Sequence, residues 1–161
     1  MHILVVDDSK TVRNVIISHL DSLGFRDVSE ADSGESALYL VVRKKVDFIF
    51  LDWNMPKMNG IEFLAKIRGM SNHAKIPVLM VTTEGEREKV LQASALGIEG
   101  LVVKPFTKEL LLLKVLEVFV KRGLKLPPPS SEPLVVKQAK DAADETVSAA
   151  GEPAAPSPEA A

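Results

Sequence analysis

The sequence predicts an α/β protein with one parallel sheet and helices on both of its faces. Four short apolar runs without polar alternation are typical of strands buried on both sides, and a fifth, more polar run resembles them. Amphipathic helical patterns follow these runs, separated from them by capping residues and glycines. Repeated strand–helix units require right-handed crossovers, which distribute the helices over both faces of a parallel sheet.

The strands are predicted in chain order from these apolar runs. The four clear runs cover residues 3–6, 47–51, 78–81 and 101–103. The run at residues 27–31 is more polar, and we therefore expect this strand to lie nearer an edge of the sheet.

The first helix is predicted from apolar residues that recur at steps of three and four positions, namely Val12, Val15, Ile16, Leu20 and Leu23. Gly24 provides its stop. The other four helices are predicted over residues 34–44, 60–68, 86–97 and 108–123. Three of them have a capping residue directly before them: Ser33, Asn59 and Thr107. Five such units predict a flavodoxin-like, doubly wound (βα)5 sandwich with the strand order 2-1-3-4-5.

The folded domain is predicted to end at Leu126. Residues 127–161 contain seven of the ten prolines, and six acidic residues against two lysines, a composition that favours extended, solvated backbone. A weak transient helix over residues 134–147 is the alternative. We therefore predict one domain, residues 1–126, and a disordered tail over residues 127–161.

The composition excludes several classes of protein. No cysteine is present, so neither a disulfide framework nor a thiolate metal site can form. The first residues lack the long apolar core of a signal peptide, and no segment approaches the roughly 18 apolar residues of a membrane span. The net charge of −2 provides no basic surface for nucleic acid. We expect a cytoplasmic monomer without nucleic-acid or membrane partners.

Polar residues follow four of the predicted strands. Asp7 and Asp8 come after the first strand, Asp52 after the third, Thr82 after the fourth and Lys104 after the fifth. Ligands of open α/β sheets bind beyond the carboxyl ends of the strands, where the strand order reverses. Because the first and third strands are neighbours in the predicted order, three carboxylates should converge beside a hydroxyl and an ammonium group.

This combination of groups favours a magnesium-assisted phosphoryl transfer. Crowded carboxylates repel one another unless a cation joins them, and oxygen-only ligands suit Mg²⁺. A carboxylate can attack phosphorus, and the transfer then requires mainly alignment and neutralisation of charge. Asp52 lies between the acidic pair and the Thr82–Lys104 side, so it is the best acceptor. Each residue alone has a structural explanation as a cap, a turn residue or a surface charge, and only the joint placement indicates a site.

Four motifs of the sequence resemble those of the receiver domains of response regulators, and of the single-domain chemotaxis regulators in particular: LVVDDS (4–9), LDWNMPKMNG (51–60), PVLMVTTEG (77–85) and LVVKPFT (101–107). The resemblance covers about residues 2–123. It implies that Asp52 is phosphorylated by a histidine kinase and that the conformational change is read by an output protein. Such a protein is a signalling phosphoacceptor, not an enzyme with a separate substrate.

The resemblance also implies roles for single residues. Mg²⁺ would be bound by Asp8, Asp52 and the backbone carbonyl of Asn54, with Asp7 acting through water. Thr82 and Lys104 would engage the phosphoryl group, with a cis peptide bond before Pro105.

The chain also departs from the chemotaxis regulators. Leu101 stands where they have a tyrosine that turns inward on activation, so no aromatic switch is expected here. At position 83, a residue smaller than threonine would leave the phosphorylation site more open. Asn54 and Glu84 agree with the chemotaxis regulators and favour a short-lived phosphoryl state. Trp53, next to Asp52, should report on the site.

Three alternatives remain open at this point. The first is a Mg²⁺-dependent aspartyl-phosphate phosphatase or phosphotransferase, although such enzymes usually carry a DxD pattern after the first strand. The second is a flavin-binding flavodoxin, although the carboxylates after the first strand are unsuited to holding a phosphate. The third is an interaction module on the same fold that is never phosphorylated.

Overall fold

The computed structural model describes residues 1–83, 85, 87–128 and 131–139, and these residues alternate between strands and helices as predicted. The elements are β1 His2–Val6, α1 Lys10–Ser22, β2 Asp27–Ala31, α2 Gly34–Arg43, β3 Phe48–Leu51, α3 Gly60–Arg68, β4 Val78–Thr82, α4 Arg87–Ala95, β5 Gly100–Val103, α5 Lys108–Arg122 and β6 Val135–Gln138. None of the helices in the described ranges is both long enough and apolar enough to cross a membrane.

All the strands run parallel in one sheet with the order β5-β4-β3-β1-β2-β6. The predicted order of the first five strands is confirmed. In the register of the sheet, Val6 of β1 lies opposite Ala31 of β2 and Leu51 of β3. The backbone N–H of Asp7 donates to Ala31 (3.1 Å) and that of Asp52 to Val6 (2.9 Å). The strands therefore deliver both carboxylates to the same edge.

The core consists of two layers, one on each face of the sheet. Alternate residues of β1 point to opposite faces, so Leu4 and Val6 belong to one layer, and Ile3 and Val5 to the other. The first layer is covered by α2, α3 and α4, and the second by α1 and α5. Fully burying each large aliphatic or aromatic side chain in these layers contributes about 1.5–3 kcal/mol.

The helix ends follow the predicted local signals. Ser33 and Asn59 form reciprocal capping boxes with Ser36 and Glu62, and Thr107 accepts the N–H of Leu110. Gly24 and Gly123 follow α1 and α5 in the left-handed region, at φ of +88° and +63°. This conformation is costly for any residue with a Cβ atom.

The apolar residues that recur along α1 do not all face the core. Val15 is 39% exposed, whereas Arg13 is buried together with Ile16, Ile17 and Leu20. A charged side chain therefore occupies part of the buried face of α1.

The prediction of a structureless segment from residue 127 does not hold for residues 135–138, which form a sixth strand beside β2. These residues are a strand and not the alternative helix. Leu134 and Ala139, on either side of β6, pack against the two core layers. As a consequence β2 is an inner strand and not an edge strand. The remainder of the predicted tail, residues 140–161, lies outside the described residues.

Candidate functional site

Three carboxylates converge at the carboxyl edge of the sheet, as the strand order predicts. One oxygen from each of Asp7, Asp8 and Asp52 lies within 4.8 Å of the others. Asp7 and Asp52 are buried, with 1% and 4% of their surfaces exposed, whereas Asp8 faces solvent. The cluster therefore has a buried part formed by β1 and β3 and an open side at Asp8.

Lys104 reaches this cluster from the other side. Its Nζ atom lies 2.6 Å from Asp7 Oδ2 and 3.2 Å from Asp52 Oδ1, and only 14% of its side chain is exposed. The backbone N–H of Lys104 donates to the carbonyl of Thr82 (2.8 Å), which ties the end of β5 to the end of β4. The peptide bond between Lys104 and Pro105 is cis. One ammonium group thus bridges two buried carboxylates.

The surroundings of Asp52 oppose its ionisation. Burial raises the pKa of Asp52 above its ordinary value, and the negative charge of Asp7 raises the pKa further. The Lys104 ammonium and the backbone N–H of Trp53 act in the opposite direction on this pKa but do not cancel the increase. Asp52 therefore holds a proton more readily than an exposed aspartate, and an additional cation beside it would favour the charged form.

The donor atoms fit a hard divalent cation. All three side chains offer carboxylate oxygens, and one of them, Asp8, leaves the cluster open to solvent. Among the described residues, no hydrogen bond of good geometry reaches the buried Oδ1 of Asp52, whose ion-pair partner Lys104 Nζ lies 3.2 Å away. A buried oxygen held by an ion pair alone, next to two further carboxylates, is suited to Mg²⁺, which retains several waters and takes one or two carboxylates.

The loop between β3 and α3 folds back over Asp52. A Cβ atom at Gly60 would lie 2.1 Å from the carbonyl oxygen of Asp52, so only glycine permits this approach. Gly60 also donates its N–H to the carbonyl of Trp53 (2.9 Å). Lys57, in the same loop, adopts a left-handed conformation with φ of +67°. Trp53, which directly follows Asp52 in this loop, is 7% exposed and belongs to the core layer beneath α2, α3 and α4.

Three further residues named in the sequence, Thr82, Asn54 and Thr83, lie around this edge. Thr82 is fully buried at the end of β4. The side-chain amide of Asn54 donates to Thr83 Oγ1 across the loops that follow β3 and β4 (3.4 Å). Leu101 of β5 is partly buried and packs against the layer beneath α2, α3 and α4. Glu84 lies outside the described residues, so the expectation attached to it stays a prediction.

A buried ion pair behind the carboxylates was not anticipated from the sequence. Arg13 Nε lies 2.9 Å from Glu30 Oε2, and Arg13 Nη1 donates to the backbone carbonyl of Asp7 (2.8 Å). A signal for this burial was available, because Arg13 precedes Ile16 and Ile17 by three and four residues, the spacing of a single helix face.

Comparison with known proteins is consistent with this geometry. The family model for the response regulator receiver domain matches residues 3–116. The chain is 43% identical to a chemotaxis protein CheY of Pseudomonas aeruginosa over 119 residues, which are 74% of this chain and 96% of that protein. It is 42% identical to a chemotaxis protein CheY-3 of Vibrio cholerae, over 74% of this chain and 92% of that protein.

Solved structures give the same result. The chemotaxis protein CheY4 of Vibrio cholerae, crystallised at low pH, superposes with a TM-score of 0.68 and 38% identity, covering 73% of this chain and 97% of that one. A bacteriophytochrome response regulator, RtBRR, superposes with a TM-score of 0.70 and 26% identity, covering 82% of each chain.

Proposed function

The chain belongs to the response regulator receiver domain family, and on that premise we propose that Asp52 is its phosphoacceptor in two-component signalling. One observation carries the proposal: Lys104, at the end of β5, contacts a buried Asp52 that also borders two further carboxylates. Receiver domains of this type are phosphorylated by histidine kinases and act on output partners. The phosphodonor proposed here is accordingly a histidine kinase, with the protein located in the cytoplasm.

The transfer is a displacement at phosphorus. A carboxylate oxygen of Asp52 forms the new P–O bond while the P–N bond to the kinase histidine breaks. The ammonium group of Lys104 and the hydroxyl of Thr82 then donate to phosphoryl oxygens. Asp52 has to be ionised to attack, so the groups that lower its pKa also favour the reaction.

Receiver domains bind Mg²⁺ through an acidic cluster of this kind. In this chain Asp8, Asp52 and the backbone carbonyl of Asn54 would hold the ion, with Asp7 acting through a water molecule. When bound, Mg²⁺ would neutralise the negative charge that the phosphoryl group brings to an already acidic site.

The signal arises from a redistribution of the Lys104 contacts. In the unphosphorylated protein Lys104 is shared between Asp7 and Asp52. A phosphoryl group on Asp52 adds negative charge, which attracts Lys104 and Thr82 and biases α4 and β5 towards a second arrangement. An output protein reads that surface. Because position 101 is a leucine, this response does not involve the rotation of an aromatic side chain there.

The proposal is tested by phosphodonor labelling and intact-mass measurement. The wild-type protein, incubated with acetyl phosphate and Mg²⁺, should gain one phosphoryl group, and Asp52→Asn should gain none. Asp47→Asn is the matched control, because Asp47 precedes the same strand that Asp52 follows; it should be labelled like the wild type.

Two results would contradict the assignment: labelling that persists in Asp52→Asn, and labelling that proceeds equally in EDTA. Continuous release of phosphate from an added phosphomonoester would instead identify the phosphatase alternative. Addition of Mg²⁺ alone should change the fluorescence of Trp53, since this buried residue directly follows Asp52 in the chain.

A further inference from the structure

We infer that Arg13 is a positioning residue for the cation side of this site, and that Glu30 and strand β6 hold it in place. The inference rests on the proposed function, because it concerns the binding of Mg²⁺ by Asp8 and its neighbours. Arg13 itself touches neither the ion nor the phosphoryl group.

The contact that carries the inference is made to the main chain. Arg13 Nη1 donates to the carbonyl oxygen of Asp7 at 2.8 Å, and this carbonyl belongs to the peptide bond that joins Asp7 to Asp8. The orientation of this peptide determines where the two carboxylates point relative to each other. The side chain of Asp7 also contributes to this turn, since its Oδ1 accepts the N–H of Ser9 (2.8 Å). Arg13 therefore fixes the backbone between Asp7 and Asp8.

Arg13 is in turn fixed by Glu30. Their ion pair measures 2.9 Å, and both residues are more than nine-tenths buried. Glu30 belongs to β2, where it lies opposite Val5 of β1 and Gln138 of β6. The carboxylate that holds Arg13 is thus anchored in a strand that is paired on both sides.

Strand β6 completes the environment of this pair. Gln138 and Ala139 line a cavity of about 100 Å³ together with Arg13 and Glu30. This segment therefore contributes to the wall around the guanidinium–carboxylate contact. The order of β6 is for this reason linked to the order of the Asp7–Asp8 turn.

A positioning role makes a different prediction from a purely structural one. Groups that orient metal ligands without touching the metal typically alter metal affinity by about 10–100-fold when removed. We expect loss of the Arg13 contact to weaken Mg²⁺ binding by about 10-fold. The labelling rate of Asp52 at saturating Mg²⁺ should change far less, since the hydrogen bonds of Arg13 go to Glu30 and to the carbonyl of Asp7.

The test uses the full chain with the double substitution Arg13→Met and Glu30→Gln, which leaves no unpaired buried charge. The dissociation constant of Mg²⁺ is measured by Trp53 fluorescence and by calorimetry. The matched control is Arg122→Met with Glu99→Gln, which removes another Arg–Glu pair with a buried carboxylate, at the opposite end of the sheet before β5. The dissociation constant should rise in the first variant and stay unchanged in the control.

Equal dissociation constants in the wild type and the Arg13 variant would overturn the positioning role, as would an equal rise in the control. If the double variant does not fold, Arg13→Lys replaces it, because a lysine retains the charge beside Glu30 without the planar fork that bonds two acceptors. Unchanged Mg²⁺ affinity in Arg13→Lys would equally refute the inference. If instead the wild type neither binds Mg²⁺ nor becomes labelled, the proposed function itself fails.

Discussion

At the scale of single residues, Lys104 balances the charge of the buried carboxylates. Lys104→Met would leave Asp7 and Asp52 buried without their cation, and removing one partner of a buried pair costs about 3–5 kcal/mol of unfolding free energy. Urea unfolding at neutral pH in EDTA measures this loss. Lys114→Met is the comparison, because the Lys114–Glu117 pair on α5 is more exposed and should contribute at most about 1 kcal/mol. Similar losses in both variants would contradict this view of the site.

Asp52 should make the stability of the protein depend on pH in a specific direction. Its pKa in the folded protein lies above the ordinary value of 3.8, so between these two values the folded state holds a proton that the unfolded chain has released. Stability therefore decreases as the pH rises through the folded-state pKa. Asp52→Asn removes this effect, and we expect it to melt at a higher temperature than the wild type at neutral pH. Thermal scans without Mg²⁺ should show the advantage shrinking in acid; an advantage independent of pH would refute this explanation.

The residues of the site could be predicted where they follow strands. Asp7, Asp8, Asp52 and Lys104 each come directly after an apolar run, and the strand order alone brings them together. Arg13 could not be assigned its contacts in the same way. Its partner Glu30 lies 17 residues away in a different element, and a side-chain contact of this kind depends on tertiary packing.

At the scale of elements, strand β6 shows why the sheet could not be fully predicted. The apolar run at residues 134–136 is only three residues long and follows a proline-rich segment, so local signals favour disorder. What stabilises it is its pairing with β2 and the packing of Leu134 and Ala139, both non-local contacts. By contrast, helices α2, α3 and α5 begin at caps that the sequence displays, and their predicted starts are confirmed.

The pairing of β6 with β2 can be tested by proline substitutions at two neighbouring residues. The N–H of Val135 donates to the carbonyl of Arg26 (2.7 Å), so Val135→Pro removes this bond and should cost about 1–3 kcal/mol of unfolding free energy. Val136→Pro is the control, because successive N–H groups of a strand point to opposite sides and that of Val136 faces away from β2. Hydrogen exchange of the β2 amides should accelerate in Val135→Pro only. Equal exchange in both variants would show that β6 does not protect this edge.

At the scale of the whole molecule, the alternation of five strand–helix units could be read from the sequence because each signal is local. Periodicity identified the buried faces, and caps and glycines identified the ends. The sixth strand, and with it the inner position of β2, depends on a contact between segments about 110 residues apart along the chain. The strands that carry the carboxylate cluster could therefore be predicted from the sequence. Strand β6, which pairs with β2, could not.

The placement of β6 also has a practical consequence. The chain contains one tryptophan and no cysteine, and the tryptophan is Trp53 in the loop that follows β3. Val136→Cys would introduce a single thiol on a strand residue that is 39% exposed. A dye attached to it would form an energy-transfer pair with the indole, without any background label elsewhere in the chain. Energy transfer from Trp53 to this dye would therefore report the distance between the loop after β3 and strand β6.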